Sequence, residues 1–309
     1  MSFAVVATGF GGPEMLSVVD EPEREPSAGE VRVRVHAAGV NPWDFKSYSP
    51  AMSGGTLPVR LGAEASGVVD AVGSEVDGVR VGDEVIAYRA PGAYTDALVV
   101  PVSALTPKPA ELSWEQAAGL MLTGVTAVHA LTAADVGAGE TVLIHAATGG
   151  VGLMAVQLAA ARGTRVIGTA SERNHDLLRS LGAVPVVYGP GLLDRVRAVA
   201  PDGVDAAIDL VGNDEAIDVS LELVRPASRV VSAVAMQRRA DGITLIGGGP
   251  GADPGTEIRT AARAQLAELA RAGSIEVLVE RAYPMTAAAE AHRALQQGHT
   301  VGKLVLTAG

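Results

Sequence analysis

The pattern of apolar and polar positions changes period within one stretch, Glu140 to Arg173. From Thr141 to Ala147 the residues form a largely apolar, β-branched run, short enough for a buried strand. The run breaks at Gly149-Gly150. Val151, Met154, Ala155, Leu158, Ala159 and Arg162 then recur at helical spacing, which predicts one buried face of a helix. Gly163 supplies a left-handed stop, and Arg165 to Thr169 return to a β-branched strand. Strand, glycine turn, helix, glycine stop and strand make a βαβ unit.

Residues 1–115 have a different texture, β-rich and punctuated by glycine and proline. Val31 to Ala37 alternates apolar and polar as a half-buried strand does. Ala65 to Val72, Asp83 to Tyr88 and Tyr94 to Val100 are further short strands, with turns at Gly73, Gly78, Gly82 and Gly92. Such spacing predicts a small, partly open barrel or sandwich. Ser113 followed by Gln116 is a capping-box signature, and a helix is expected after it.

From about Val136 to Gly247 strands alternate with helices, as a doubly wound parallel sheet requires. Strands are expected at Pro185 to Tyr188, Asp205 to Val211, Ser228 to Ala235 and Gly242 to Gly247. Helices are expected at Asn174 to Leu181, Gly191 to Val199 and Asp214 to Leu223. Gly247 to Gly255 reads as a mobile surface loop, and Glu257 to Ala272 as an amphipathic helix. The tail returns to the first texture, with a strand near Glu276 to Ala282, a helix from Ala287 and a strand at Lys303 to Thr307. The expected organisation is one domain of residues 1–115 and 273–309, interrupted by a cofactor domain of residues 116–272.

Composition narrows the function. At 48% hydrophobic and 19% charged, the chain has a substantial core, and its net charge of −11 argues against a nucleic-acid or anionic-membrane partner. The absence of cysteine removes disulfides, thiol nucleophiles and thiolate metal sites. The two long uncharged windows, Ala117 to Ala134 and Thr141 to Ala161, contain Gly, Thr and His and do not read as membrane spans. No basic-then-apolar leader opens the sequence, so a cytoplasmic location is expected.

The glycine turn carries the candidate chemistry. Ala147, Gly149 and Gly152 hold the first, third and sixth places of a G-x-G-x-x-G fingerprint. The first place makes the tight turn, the second lets backbone approach a pyrophosphate, and the third lets helix and strand pack closely. The helix N-terminus then presents free N–H groups to the phosphates. An NAD site needs an acid about 20 residues past the glycines. That place falls on Ala170 or Ser171, followed by Glu172 and Arg173, and a hydroxyl with a guanidinium suits the 2′-phosphate of NADPH. Glu172 is the dissenting residue, because a small shift brings it to the ribose.

Several further segments accompany this unit: Ala38-Gly39-Val40-Asn41-Pro42 with Asp44, Gly62-Ala63-Glu64-Ala65-Ser66-Gly67-Val68-Val69 and Val81-Gly82-Asp83. Thr123-Gly124-Val125-Thr126-Ala127, Asp209-Leu210-Val211-Gly212, Tyr283-Pro284, Ala289-Glu290-Ala291-His292 and Gly302-Lys303 complete the set. Together they resemble the medium-chain dehydrogenase/reductases, in particular the zinc-free, zeta-crystallin-like quinone oxidoreductase branch. The resemblance spans nearly the whole chain. It implies an α/β protein with a GroES-like, partly open β-barrel catalytic domain and a Rossmann domain.

The resemblance also implies roles. Asn41 would sit beside the nicotinamide, with Thr123, Val211 and Gly212 near the same end of the cofactor. Ala147, Thr148, Gly149, Gly150, Val151 and Gly152 would cradle the pyrophosphate. Ser171, Arg173 and Tyr188 would surround the 2′-phosphate, and Lys303 would neutralise cofactor charge. Some members place a tyrosine where this chain has Lys46, so Lys46 and Tyr48 both stand as substrate-facing candidates. Zinc-dependent members carry cysteine, histidine and cysteine where this chain has Asn41, Ala63 and a position near Gly119, so no metal is expected. The expected activity is hydride transfer from NADPH to a small molecule, a quinone or an activated α,β-unsaturated carbonyl, in a homodimer joined through the Gly242 to Gly247 strand. A pathway-specific enone or enoyl reductase and a non-catalytic NADPH-binding regulator are the alternatives.

Overall fold

The computed structural model describes residues 1–309 and divides into two compact units. The first comprises Met1–Leu122, Leu266–Ala272 and Val277–Gly309; the second comprises Thr123–Gln265 and Gly273–Glu276.

The first unit is built from strands β1 (Ser2–Ala7), β2 (Leu16–Glu21) and β3 (Glu30–Val40), a short helix α1 (Pro42–Lys46), and strands β4 (Val59–Arg60), β5 (Glu64–Val72), β6 (Glu84–Tyr88), β7 (Ala97–Pro101) and β8 (Leu105–Pro107). Helix α2 (Trp114–Ala133) carries the chain into the second unit. It starts with the expected capping box: Ser113 N–H donates to the Gln116 side chain at 3.1 Å, and Gln116 N–H to the Ser113 hydroxyl at 3.2 Å.

The second unit holds β9 (Thr141–Ile144), α3 (Gly150–Ala161), β10 (Arg165–Thr169), α4 (His175–Ser180), β11 (Ala183–Val186), α5 (Leu192–Val199), β12 (Ala206–Asp209), α6 (Asp214–Leu223), β13 (Val230–Ser232) and β14 (Thr244–Leu245). Helix α7 (Thr256–Arg271) returns the chain, and β15 (Val279–Pro284), α8 (Ala288–Gln297) and β16 (Lys303–Thr307) finish the first unit.

In the second unit all six strands are parallel, in the order β11-β10-β9-β12-β13-β14. Numbered from β9, that is the doubly wound order 3-2-1-4-5-6. Leu143, Ile144, Ile167 and Ile208 are fully buried, as expected of a parallel sheet covered on both faces. The third strand forms at Ala183–Val186 rather than Pro185–Tyr188, and the last two are shorter than the apolar pattern predicts. Ile243, Leu245 and Ile246 are buried within their own unit, so the final strand does not present the bare apolar edge expected of it.

The first unit contains a three-stranded sheet, β2-β1-β4, and a seven-stranded sheet with the path β15-β16-β3-β5-β6-β8, where β7 also pairs with β3. The strands at Ser2–Ala7 and Leu16–Glu21 were not apparent in the pattern of side chains. Strand β16 from the chain's end pairs antiparallel with β3, Leu304 opposite Val40.

The Gly247 to Gly255 loop is anchored. Asp253 N–H donates to Leu245 O and Gly247 N–H to Asp253 O, each at 2.8 Å, while the Asp253 carboxylate meets His129 Nε2 at 3.1 Å.

Candidate functional site

In the second unit the chemistry gathers at the C-terminal ends of β9, β10 and β12, the edge of an open α/β sheet where ligands bind. Ala146 turns the chain with a left-handed φ of 54°, its N–H held by the Thr169 hydroxyl at 3.2 Å, and Ala147 N–H donates to Thr169 O at 3.1 Å. Gly149 is the N-cap of α3, and its lack of a side chain leaves the first N–H groups of that helix uncapped by any side chain.

The two glycines of the turn differ in what surrounds them. A Cβ on Gly152 would lie 2.3 Å from Ala146 O and 2.7 Å from Ala147 C, so only glycine lets α3 pack against this turn. A Cβ on Gly149 would meet nothing nearer than Ala146 O at 3.5 Å, so the space beside it is open. A packed sixth position and an open third position fit a pyrophosphate lying on the backbone at the helix N-terminus.

Thr148 and Ala147 are buried beneath the turn, and Gly149, Gly150 and Val151 are partly exposed. Thr148 Oγ1 lies 3.4 Å from Asn174 Nδ2, tying the turn to the segment after β10. That segment carries Ser171, Glu172 and Arg173, the last two exposed, and no acid stands at the end of β10 itself. Because β10 and β11 are parallel with Thr169 opposite Val186, Ser171 and the half-exposed Tyr188 leave the sheet at neighbouring strand ends. Asp209, at the end of β12, accepts from Val211 N–H at 3.0 Å and Gly212 N–H at 2.9 Å, which shapes the turn holding both residues. Thr123 is buried in α2.

In the first unit Asn41 joins a buried charged cluster. Lys303 Nζ donates to Asn41 Oδ1 at 2.7 Å, to Glu64 Oε1 at 3.1 Å and to Val40 O at 3.1 Å. Asn41 Nδ2 donates to Glu64 Oε1 at 3.1 Å, and Leu122 N–H to Glu64 Oε2 at 2.8 Å. All three ammonium protons of Lys303 are thereby engaged within the first unit. A Cβ on Gly39 would stand 2.5 Å from Glu64 Oε1 and from Ala118 O, so the glycine makes room for the carboxylate.

Lys46 and Tyr48 are placed apart. Lys46 is exposed, whereas Tyr48 is fully buried with its hydroxyl 2.8 Å from His292 Nδ1. Neither lines the cleft of about 260 Å³ beside α1, whose walls include Trp43, Asp44, Ser47, Ala63 and Arg89. The helical period explains this: 43, 44 and 47 share one face of α1, while Phe45 and Tyr48 pack into the unit's core. The residues facing the cleft were therefore missed, as was Glu64. For Asp44 the available signal was the Asn41-Pro42-x-Asp44 spacing, in which the carboxylate accepts the Asn41 N–H at 2.8 Å and closes the N-terminus of α1.

Asp44 also accepts from the Tyr94 hydroxyl at 2.9 Å, and burial pushes its carboxyl up to about 7 against these bonds and the charge of Lys303. Burial lowers His292 to about 4 and likewise His145, whose Nε2 lies 3.0 Å from the Ser220 hydroxyl, so both imidazoles are neutral. His145 is thus a hydrogen-bonded core residue.

A doubly wound sheet with this glycine turn, in a chain whose other unit is the antiparallel assembly around β3 and β5, defines a medium-chain dehydrogenase/reductase. Residues 27–110 match the alcohol dehydrogenase GroES-like domain, and residues 181–306 match the zinc-binding dehydrogenase family. A quinone oxidoreductase of Pseudomonas aeruginosa is 34% identical, with 96% of this chain and 97% of that protein covered. The crystal structure of Escherichia coli quinone oxidoreductase complexed with NADPH superposes with a TM-score of 0.87 at 29% identity, covering 99% of each chain. A structure described as an NAD-dependent alcohol dehydrogenase superposes as well, with a TM-score of 0.88 at 31% identity over 99% of this chain and 100% of that one, so the backbone alone does not choose the reaction. The chain belongs to the quinone oxidoreductase family of this class.

Proposed function

We propose that the protein is an NADPH-dependent oxidoreductase that reduces quinones or activated enones without a metal. The observation that carries the reading is the β9–α3–β10 turn, with Gly149 open at the head of α3 and Gly152 packed beneath it. Ser171, Arg173 and Tyr188 would take the 2′-phosphate, for which no carboxylate at the end of β10 competes. The likeness to an enzyme crystallised with NADPH supports the same choice.

NADPH, when bound, supplies the hydride. The chain's own residues would bind and orient it: the α3 N-terminus would hold the pyrophosphate, and the Val211–Gly212 turn would take the nicotinamide end. Asn41 holds the end of β3 in place through Glu64 and Lys303. An amide, a methyl group and a bare backbone at Asn41, Ala63 and Gly119 offer no ligand set for zinc. Alcohol oxidation in this class needs a metal to stabilise the alkoxide, whereas a quinone or enone needs only hydrogen-bond donors for its developing oxyanion.

The test is NADPH consumption against para-quinones, alkenals, cyclic enones and primary alcohols. Turnover of quinones or enones with inert alcohols is expected; alcohol oxidation with NADP⁺ and no reduction of the others refutes the reading. We also propose a homodimer. With its apolar side chains buried, the β14 edge offers backbone alone for pairing, and light scattering at micromolar concentration that finds a monomer removes it.

A further inference from the structure

A continuous line of buried hydrogen bonds crosses the first unit. Tyr48 Oη lies 2.8 Å from His292 Nδ1, and His292 Nε2 lies 3.1 Å from Tyr94 Oη. Tyr94 donates to Asp44 Oδ2 at 2.9 Å. The three rings come from three separate segments, yet the two tyrosines and the histidine are each 0% exposed. Because Asp44 accepts from Tyr94, Tyr94 must accept from His292 Nε2–H, and Nδ1 must then accept from Tyr48. Every donor points toward Asp44, and Asp44 lines the cleft. A core built only for stability has no need of four aligned polar groups, which hydrophobic side chains of similar volume would replace at little cost.

We propose that Asp44 delivers the proton that accompanies hydride transfer, and that Tyr94, His292 and Tyr48 position and refill it. The inference rests on the reductase reading above. NADPH would supply the hydride that reduces the acceptor and would leave as NADP⁺. The oxygen that gains charge takes the proton from the Asp44 carboxyl, breaking that O–H bond and forming one on the product. Tyr94 then gives its hydroxyl proton to Asp44 and takes the Nε2 proton of His292; His292 takes the Tyr48 proton at Nδ1, and Tyr48 recovers one from solvent on the side where the exposed Glu14 and Arg293 bear on it. Each turnover consumes one hydride and one solvent proton.

The charged surroundings suit the role. Lys303 favours the Asp44 carboxylate and Glu64 opposes it, Arg60 and Arg89 line the same cleft, and Glu14 and Arg293 bear on the Tyr48 end. Burial outweighs the rest and holds the carboxyl up to about 7, so a proton is available near neutral pH.

The test uses the full chain in two ways. In cofactor-free protein, carbon NMR of labelled aspartates should find one carboxyl titrating near neutrality, absent in Asp44→Asn and moved to higher pH in Tyr94→Phe, which loses the bond that favours the carboxylate. With NADPH and a quinone, Asp44→Asn should lower kcat by about 100-fold or more with little change in KM. It should also abolish the fall of kcat above neutral pH. Tyr48→Phe, which keeps its ring and lies farthest from the cleft, should lower kcat and enlarge the solvent deuterium isotope effect. Wild-type kcat and pH profile in Asp44→Asn, or an Asp44 titration indifferent to Tyr94→Phe, overturns the relay. If no acceptor is reduced at all, the reductase reading fails, and the NMR titration still decides whether Asp44 and Tyr94 are linked.

Discussion

Lys303 and Asn41 lie 262 positions apart in the chain, yet the lysine ammonium donates to the asparagine amide oxygen at 2.7 Å, with Glu64 completing the cluster. Both charged side chains are almost fully buried, 5% exposed for Lys303 and 0% for Glu64. Lys303→Met leaves the Glu64 charge unmatched and should destabilise the first unit by about 3–5 kcal/mol. The double variant with Glu64→Gln should recover much of that loss. Denaturant midpoints of the two singles and the double measure the coupling, and simple additivity disproves it.

On the proposed reading, Arg173 sets the cofactor choice. Arg173→Ala should weaken NADPH by about 1–3 kcal/mol, the value of a charge-assisted hydrogen bond, and leave NADH nearly unchanged. Calorimetric titration with both cofactors reads this directly. Equal losses would remove Arg173 from the 2′-phosphate.

The two glycines of the turn should fail in different ways. Gly149 has ordinary extended angles, φ −72° and ψ 170°, and space for a methyl group, so Gly149→Ala should fold normally. It should bind NADPH about 10-fold or more weakly, because the added carbon would occupy the place proposed for the pyrophosphate. Gly152→Ala pushes a carbon into the Ala146 carbonyl and should cost about 1–3 kcal/mol of stability by overpacking. Thermal melts beside cofactor titrations separate these effects, and a stable, tightly binding Gly152→Ala would contradict the geometry.

Metal should play no part. Elemental analysis of the purified protein should find no stoichiometric zinc, and chelators should leave quinone reduction intact, since Asn41 and Ala63 supply no ligand. One zinc per chain would refute the metal-free reading.

Stability should depend on pH through buried neutral imidazoles. His292 falls from 6.5 to about 4 in the folded chain, and His145 does the same, so their contribution is complete above 6.5 and is lost as pH falls toward 4. Asp44 acts oppositely: raised from 3.8 to about 7, it stabilises the fold at low pH and loses that contribution as pH climbs through this range. Two histidines against one aspartate leave stability rising with pH between these limits. His292→Gln should reduce the slope by about 1.4 kcal/mol per pH unit. Identical slopes in urea titrations would show that His292 is not held neutral.

The cofactor unit was legible in the sequence because each of its signals is local. Thr141 to Ile144, the Gly149–Gly152 turn and Arg165 to Thr169 declare strand, turn and strand within about one βαβ length. Asp214–Leu223 and Lys303–Thr307 formed where the pattern put them. What escaped is non-local. Asp44, Tyr94 and His292 meet across as many as 198 positions between Tyr94 and His292, and no spacing rule joins them. Tyr48 stood beside Lys46 as a substrate-facing candidate because some family members carry a tyrosine where this chain has Lys46; its side chain packs into the core, bonded to His292. Ser2–Ala7 lacks polar alternation because it is buried nearly throughout, which hid it as a strand.

The interrupted path of the first unit has a consequence for synthesis. Thr123–Gln265 holds nearly all of the second unit in one contiguous stretch and can fold as it leaves the ribosome. The first unit cannot close until β16 is made, because β3 waits for that strand and Glu64 waits for Lys303. Until β16 emerges, an open sheet edge and an uncompensated carboxylate stand exposed while the dinucleotide fold is already formed. A chain cut just before β16 would therefore bind cofactor yet remain a client of chaperones.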